Sequence, residues 1–409
     1  MDLQLEFKQE KLNNIIKISG SKSESNRLLI LQHFFSELGI KNLSNSDDTE
    51  HLQKALSTKK EVVDIGHAGT AMRFLTAFFA TQEGRQQIVL TGSERMQNRP
   101  IKILVDALKN LGAEISYVEK EGYPPLKIVG KKITKNHVQI NGNVSSQYIS
   151  ALLLIAPSLK NGLKIKLTGK ITSVPYINMT LSLLQQLGIQ SNFKDNLITI
   201  LPKKSIQKQT IIVESDWSST SYFYSIIALS EIGTEITLSS YKKQSLQGDA
   251  CLSEIYKDFG VETLFKDNTI TLKKVENHQK KHLTYNLKNA PDIAQTIAVT
   301  SFGLGISCDL LGLHTLKIKE TDRLEALKKE LTKLGANINI TNDSLSLKAS
   351  EEINKNIAIN TYNDHRMAMA FAPLAIKTSI TILEAEVVTK SYQNFWKDLQ
   401  QIGFQLSEL

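Results

Sequence analysis

Cysteine is nearly missing from this 409-residue chain, with Cys251 and Cys308 its two thiols. Two thiols give no disulfide framework, which excludes a small stapled scaffold and suits a reducing, cytoplasmic setting. Long hydrophobic runs are missing as well. The best stretch, ALLLIAP at 151–157, falls far short of the ~18–20 residues that a membrane span requires. The first residues, MDLQLEFKQEK, carry acids and no apolar core, so no secretory leader is expected. There is no phosphate-binding lysine loop, no dinucleotide fingerprint and no acidic cluster at metal spacing, so no cofactor and no metal are expected. HQKKH at 278–282 has two histidines but no third ligand, and reads as surface. With 41% hydrophobic and 22% charged residues, the chain is neither disordered nor fibrous. At about 150 residues per domain it makes two or three domains, enough to bury a core unaided.

Arginine is the next scarcity. The balance is 49 basic to 41 acidic residues, or +8, yet only seven of the basic residues are arginine and 42 are lysine. Lysine pairs recur along the whole chain (59–60, 131–132, 203–204, 242–243, 280–281, 328–329) without collecting into one stripe or alternating with aromatics. That pattern is a solvated surface, not a nucleic-acid or membrane face. Six of the arginines, Arg27, Arg73, Arg95, Arg99, Arg323 and Arg366, fall instead in polar motifs; Arg85 is the exception. Arginine grips carboxylate and phosphate at two points, so a partner with several such groups is implied.

One unit repeats. An amphipathic helix, an apolar–Gly–apolar step and two short alternating strands recur around Gly112, Gly188, Gly260, Gly335 and Gly403, at spacings of 76, 72, 75 and 68. Each glycine stands where a helix C-cap needs positive φ. Lys-Asp-Asn marks the hairpin turn in NFKDNLITI and LFKDNTITL. HLQKALSTKKEVVDIG is a sixth copy with its hairpin shortened. Six units of about 70 residues predict an α/β fold of two similar lobes, each of three βαβαββ-type units, with a ligand site in the cleft between them.

Five motifs carry chemistry, each also readable as plain helix capping or ion pairing. Gly20-Ser-Lys-Ser-Glu-Ser-Asn-Arg27 opens a helix, with Ser23 and Arg27 on one face, a capped start or an anion site. Gly66-His-Ala-Gly-Thr-Ala-Met-Arg73 brings backbone close to a ligand at Gly66 and Gly69, and Arg95 and Arg99 precede Pro100. Ser145, Ser146 and Gln147 open another helix, as does Ser173-Val-Pro-Tyr176. Lys317-Ile-Lys-Glu-Thr-Asp-Arg323, read as helical, sets Lys319 and Arg323 on one face as a like-charge pair that a bound anion would relieve. In Thr361-Tyr-Asn-Asp-His-Arg366, Asp364 is a good N-cap and Arg366 opposes the helix dipole, again implying an anion. Asp292 and Lys390 are isolated candidates.

In this order SKSESNR, AGTAMR, ERMQNRPI, VSSQY, QGD at Gln247–Asp249, KETDRLEAL and TYNDHRMAMAFA resemble the 5-enolpyruvylshikimate-3-phosphate synthase family, from about residue 15 to 400. The resemblance implies the enolpyruvyl transferase fold, an inside-out α/β barrel in each lobe, with residues 1–19 plus 216–409 in one and 20–215 in the other. It implies transfer of the enolpyruvyl group of phosphoenolpyruvate to the 5-hydroxyl of shikimate 3-phosphate, with phosphate released. The substrates bring about six negative charges together, which demands cations. By resemblance Lys22, Gly69, Arg95, Gln147, Arg323, Arg366 and Lys390 hold phosphoenolpyruvate. Lys22, Ser23, Arg27, Ser145, Ser146, Gln147, Ser173, Asp292, Thr315 and Lys319 hold shikimate 3-phosphate. Asp292 takes or orients the hydroxyl proton, and Glu320 or Lys22 protonates the methylene carbon. The partners are small molecules, and a monomer is expected. His67, Phe74 and Thr315 stand where the family has asparagine, proline and asparagine.

Two other readings remain open here. UDP-N-acetylglucosamine enolpyruvyl transferase shares the fold and chemistry, but usually has a cysteine in its first half. A basic polyanion-binding scaffold would bind without turnover, and with steep salt dependence.

Overall fold

The structure, a computed structural model, describes residues 1–8, 13–85, 87–171 and 174–409. It comprises two compact units, Met1–Ser19 with Glu214–Leu409 and Gly20–Val213. The chain returns to the first unit at Val213–Glu214, two residues ahead of the position expected from the sequence.

One supersecondary pattern builds both units. In the second, strand Val62–Asp64 pairs in parallel with Ile88–Thr91 across the helix Gly69–Ala80. The helix Lys102–Leu111 follows, then the hairpin of Glu114–Tyr117 and Leu126–Val129, whose later strand adds antiparallel to Ile88–Thr91. The same order gives five four-stranded sheets among the described residues. The chain's opening strands are shared out: Leu3–Phe7 lies between Ile380–Ile382 and Phe404–Glu408, while Asn13–Ile16 joins Glu235–Ser239 in parallel.

Local chemistry fixes the joints. All five repeat glycines are left-handed, with φ of 106° at Gly112, 70° at Gly188, 76° at Gly260, and 99° at Gly335 and Gly403. At Gly112 this lets Gly112 N donate to Lys109 O and Ala113 N to Leu108 O, meeting carbonyls that the helix end leaves over. Asp195–Asn196 and Asp267–Asn268 have consecutive positive φ, as tight two-residue hairpin turns require. The sixth unit has no hairpin. The helix Asp47–Ser57 passes through residues 58–61 straight into Val62–Asp64 of the next sheet. Its own sheet is the parallel pair Leu38–Lys41 and Gln209–Ile212.

The helices lie inside. Every residue of Gly69–Ala80 is buried, and so is every residue of Trp217–Leu229 except Ser218. Helices that are apolar on all sides belong in such a position. The strands alternate: Leu163, Ile165 and Leu167 point to the helices, Lys164 and Lys166 to solvent. None of the twelve lysines in the six pairs is buried, so most of the excess positive charge is outer-face solvation. No helix among the described residues is long and apolar enough to cross a membrane.

Candidate functional site

In the unit Gly20–Val213, four helix starts come together around Arg27, Gln147 and Thr70. Arg27 is buried on the helix Lys22–Phe34. Its Nε donates to Thr180 Oγ1 (2.8 Å), Nη1 to Ser23 O (2.7 Å), and Nη2 to Ser150 Oγ (2.9 Å) and Tyr176 O (3.5 Å). One guanidinium thus ties the early turns of Lys22–Phe34, Ser146–Ile155 and Val174–Gln186. Gln147 Nε2 donates to Thr70 Oγ1 (3.3 Å), joining the first turns of Ser146–Ile155 and Gly69–Ala80. Ser145 caps Ser146–Ile155, its Oγ accepting from Gln147 N. Helix N-termini carry partial positive charge, and here four of them share one end of the unit.

The hydrogen-bond acceptors of Arg27 are all neutral. Burial pushes its pKa down to about 10, so it stays charged at neutral pH. The buried Phe74 ring lies 5.5 Å from the guanidinium, so the residue that replaces the family's proline adds a cation–π contact. Glu24, three residues earlier on the helix, raises the Arg27 pKa only as a lesser effect than burial, so a buried cation that donates to neutral groups alone is costly unless an anion arrives.

Arg73 is equally buried but differently used. Its Nη1 meets Gly69 O (3.2 Å) and Met96 Sδ (3.5 Å), and its Nη2 donates to Pro100 O (3.1 Å). Burial, and then the charge of Arg99, push it down to about 10. Arg73 therefore fixes two loops in place. Against Gly69 stands Arg99, whose Nη1 would lie 2.4 Å from a Cβ at that glycine. The guanidinium beside Gly69 is thus that of Arg99, while Arg95 is half-buried on the short helix Glu94–Gln97. His67 Nδ1 pairs with Ser93 Oγ (2.8 Å), the cap of that short helix. Lys22 and Ser23 are half-buried on the first turn of their helix and Ser146 is buried, whereas Ser173 lies outside the described residues.

In the unit Met1–Ser19 with Glu214–Leu409, the cations are matched by carboxylates. Arg323 is 1% exposed. Its Nε donates to Asp364 Oδ2 (2.7 Å), Nη1 to Asp292 Oδ1 (2.9 Å), and Nη2 to Glu320 Oε2 (2.6 Å). Burial opposes its charge, but Asp364, Glu320 and Asp292 outweigh that and raise its pKa above the ordinary arginine value. Arg366 Nη1 donates to Asp292 O (3.2 Å), and its Nη2 reaches Ser218 Oγ and Asp292 Oδ2, both at 3.3 Å. Lys319 Nζ is 3.4 Å from Asp292 Oδ1. Burial alone would raise the Asp292 carboxyl; Arg366, Lys319 and Arg323 together hold it well below the usual range.

Lys319 and Arg323 do not share a helical face, contrary to the expectation from spacing. Lys319 follows the 3-10 turn His314–Ile318, and the helix starts at Arg323, capped by Asp322. The two cations meet at Asp292 Oδ1, so a protein carboxylate from 31 residues away takes the place expected for a bound anion. Asp364 both binds Arg323 and caps the helix His365–Phe371. Ahead of it Tyr362 and Asn363 are left-handed, at φ 54° and 56°. Tyr362 Oη donates to Glu330 Oε1 (2.6 Å) and Lys390 Nζ to Asn363 O (2.8 Å), which hold this turn. Thr315 Oγ1 is buried and has no hydrogen-bond partner among the described residues.

Cations and hydroxyls gathered at the starts of buried helices define a binder of small polyanions, built in two repeated α/β units. The comparisons name the kind. The family model described as EPSP synthase (3-phosphoshikimate 1-carboxyvinyltransferase) matches residues 33–399. A Bacteroides fragilis 3-phosphoshikimate 1-carboxyvinyltransferase is 46% identical over 394 residues, 95% of each chain. One from Colwellia psychrerythraea is 36% identical, covering 96% of this chain and 97% of its own. In fold, the chain is similar to the EPSP synthase of Acinetobacter baumannii, with a TM-score of 0.81 at 19% identity over 100% of both chains. The chain belongs to the EPSP synthase family.

Proposed function

We propose that the protein transfers the enolpyruvyl group of phosphoenolpyruvate to the 5-hydroxyl of shikimate 3-phosphate and releases inorganic phosphate. The observation that carries this is the 46% identity to a 3-phosphoshikimate 1-carboxyvinyltransferase, which spans 95% of both chains. In this reading it works as a cytoplasmic monomer, on free small molecules.

The side chains supply what the reaction needs. Shikimate 3-phosphate draws on Lys22, Ser23, Arg27, Ser145, Ser146, Gln147, Ser173, Asp292, Thr315 and Lys319. Phosphoenolpyruvate draws on Lys22, Gly69, Arg95, Gln147, Arg323, Arg366 and Lys390, and on Arg99, whose guanidinium stands against Gly69. A proton adds to the methylene carbon while the 5-hydroxyl oxygen bonds to the adjacent carbon. The tetrahedral adduct then breaks its carbon–oxygen bond to phosphate and returns a methyl proton, restoring the alkene. Asp292 is a weak base in its cationic cage, so it orients the hydroxyl and takes its proton only as the new bond forms. Glu320 is the half-buried member of the Arg323 cluster. Its Oε2 accepts from Arg323 Nη2 (2.6 Å), and it is one candidate for delivering the proton to the methylene carbon. Lys22 is the other candidate for that step.

The test is free phosphate. Release is expected with phosphoenolpyruvate plus shikimate 3-phosphate, and none with phosphoenolpyruvate plus UDP-N-acetylglucosamine; the reverse pattern refutes the reading, as does polyanion binding without turnover.

A second expected result concerns Gly69→Ala. The new methyl meets the mobile end of Arg99 and displaces it without disturbing the backbone. The KM for phosphoenolpyruvate is expected to rise about tenfold, with the thermal midpoint unchanged. Steady-state kinetics beside a melting curve decide it.

A further inference from the structure

The reading above leaves the buried Asp249 without a role. It lies on the 3-10 turn Gly248–Cys251 and is 5% exposed. Its Oδ2 accepts a hydrogen bond from Ser218 Oγ, on the first turn of the helix Trp217–Leu229. Ser218 Oγ in turn accepts from Arg366 Nη2 (3.3 Å), and the same Nη2 stands 3.3 Å from Asp292 Oδ2. Nη2 therefore donates to Ser218 while it stands in ion-pair contact with Asp292. A serine hydroxyl has one proton and two lone pairs. With its proton given to Asp249, Ser218 has lone pairs free for Arg366. Without that acceptor the hydroxyl rotates, and Arg366 is drawn towards Asp292.

We propose that Asp249 is a positioning residue for the enolpyruvyl donor: acting through Ser218, it holds the Arg366 guanidinium away from full pairing with Asp292, ready for the donor's anionic group. This rests on the function proposed above, in which Arg366 binds phosphoenolpyruvate.

The surroundings of Asp249 give the device a pH dependence. Asp292 on the turn Pro291–Ile293, Arg366 on the helix His365–Phe371 and Asp216 at the cap of Trp217–Leu229 face it, and Cys251 shares its turn. Burial, and then Asp292, push the Asp249 carboxyl up to about 6, against the pull of Arg366 and Ser218. The anion that orients Ser218 is present above that value and is lost as pH falls through it. A protonated Asp249 donates to Ser218 instead of accepting, so Asp249→Asn mimics the acid form.

The experiment is steady-state phosphate release by the full chain at saturating shikimate 3-phosphate, with phosphoenolpyruvate varied. Wild type, Asp249→Asn, Ser218→Ala and the double variant are compared between about pH 5 and about pH 8. At the upper end, each single variant is expected to raise the KM for phosphoenolpyruvate about tenfold, with kcat changed less than about threefold. The double variant is expected to be no worse than either single one, because both break the same link. The ratio of Asp249→Asn to wild-type KM falls towards one at the acid end; using the ratio cancels the titration of the substrate phosphates. Additive effects, a ratio independent of pH, or an equal rise in the KM for shikimate 3-phosphate each overturn the proposal. Should Asp249→Asn melt well below wild type, Ser218→Ala decides alone, and an unchanged KM overturns it. A wild type that releases no phosphate overturns the proposed function and this assignment with it; a wild type that turns over beside variants of normal KM overturns this assignment alone.

Discussion

Replacing Arg323 with methionine is expected to remove about 3–5 kcal/mol of stability and to abolish turnover. Three carboxylates, from Asp292, Glu320 and Asp364, converge on one guanidinium that is 1% exposed. Breaking a buried pair from the cationic side leaves charge in a medium that cannot solvate it, which costs far more than the pair contributed. The pH dependence has a defined sign. The Asp292 carboxyl is depressed in the folded protein, so its stabilising contribution is complete above the unfolded value and is lost as pH drops through the folded one. Methionine shrinks that contribution, so the deficit is largest near neutrality and narrows towards about pH 4. Denaturant unfolding of wild type and variant at several pH values checks this. A deficit under about 1 kcal/mol at neutrality, the size of an exposed pair, would contradict it.

Lys22→Met is expected to do the opposite to stability while matching the loss of activity. Lys22 is the first residue of its helix and has no salt bridge among the described residues. A cation there opposes the helix dipole, so its removal leaves stability unchanged or raises it by a few tenths of a kcal/mol. Turnover should fall by about 10³-fold or more, the scale of losing one preorganised charge at a developing anion. Melting curves and phosphate release on the same preparation test both halves. Activity within tenfold of wild type counts against Lys22 in the site.

The two substitutions separate two ways of holding a cation ready. In one unit the Arg323 guanidinium is already matched by Asp364, Asp292 and Glu320. In the other, Arg27 donates to hydroxyls and carbonyls, and Glu24 acts on it without a direct hydrogen bond.

Much of this was legible in the residue string, because the informative features are local. A glycine after a helix and Asp-Asn at a hairpin tip are dictated by backbone sterics within a few residues, and all of them adopt positive φ. The short span between Asp48 and Gly66 likewise announced a missing hairpin. What the string concealed is long-range. Nothing local marks Arg99 as the arginine that packs on Gly69, 30 residues before it. Spacing made Lys319 and Arg323 repelling neighbours on a helix; the fold starts that helix only at Arg323 and brings Asp292 and Asp364 in from 31 and 41 residues away. The Ser218–Asp249 link, at a separation of 31, left no local signature beyond the QGD string.

The clasp of Leu3–Phe7 between Ile380–Ile382 and Phe404–Glu408 bears on how the molecule is made. Leu3 pairs with Glu408, so this sheet cannot close until Phe404–Glu408 has been made. The unit Gly20–Val213 has every strand it needs once Val213 has been made and can fold as the ribosome continues. Leu3–Phe7, by contrast, waits in the open for partners made long after it.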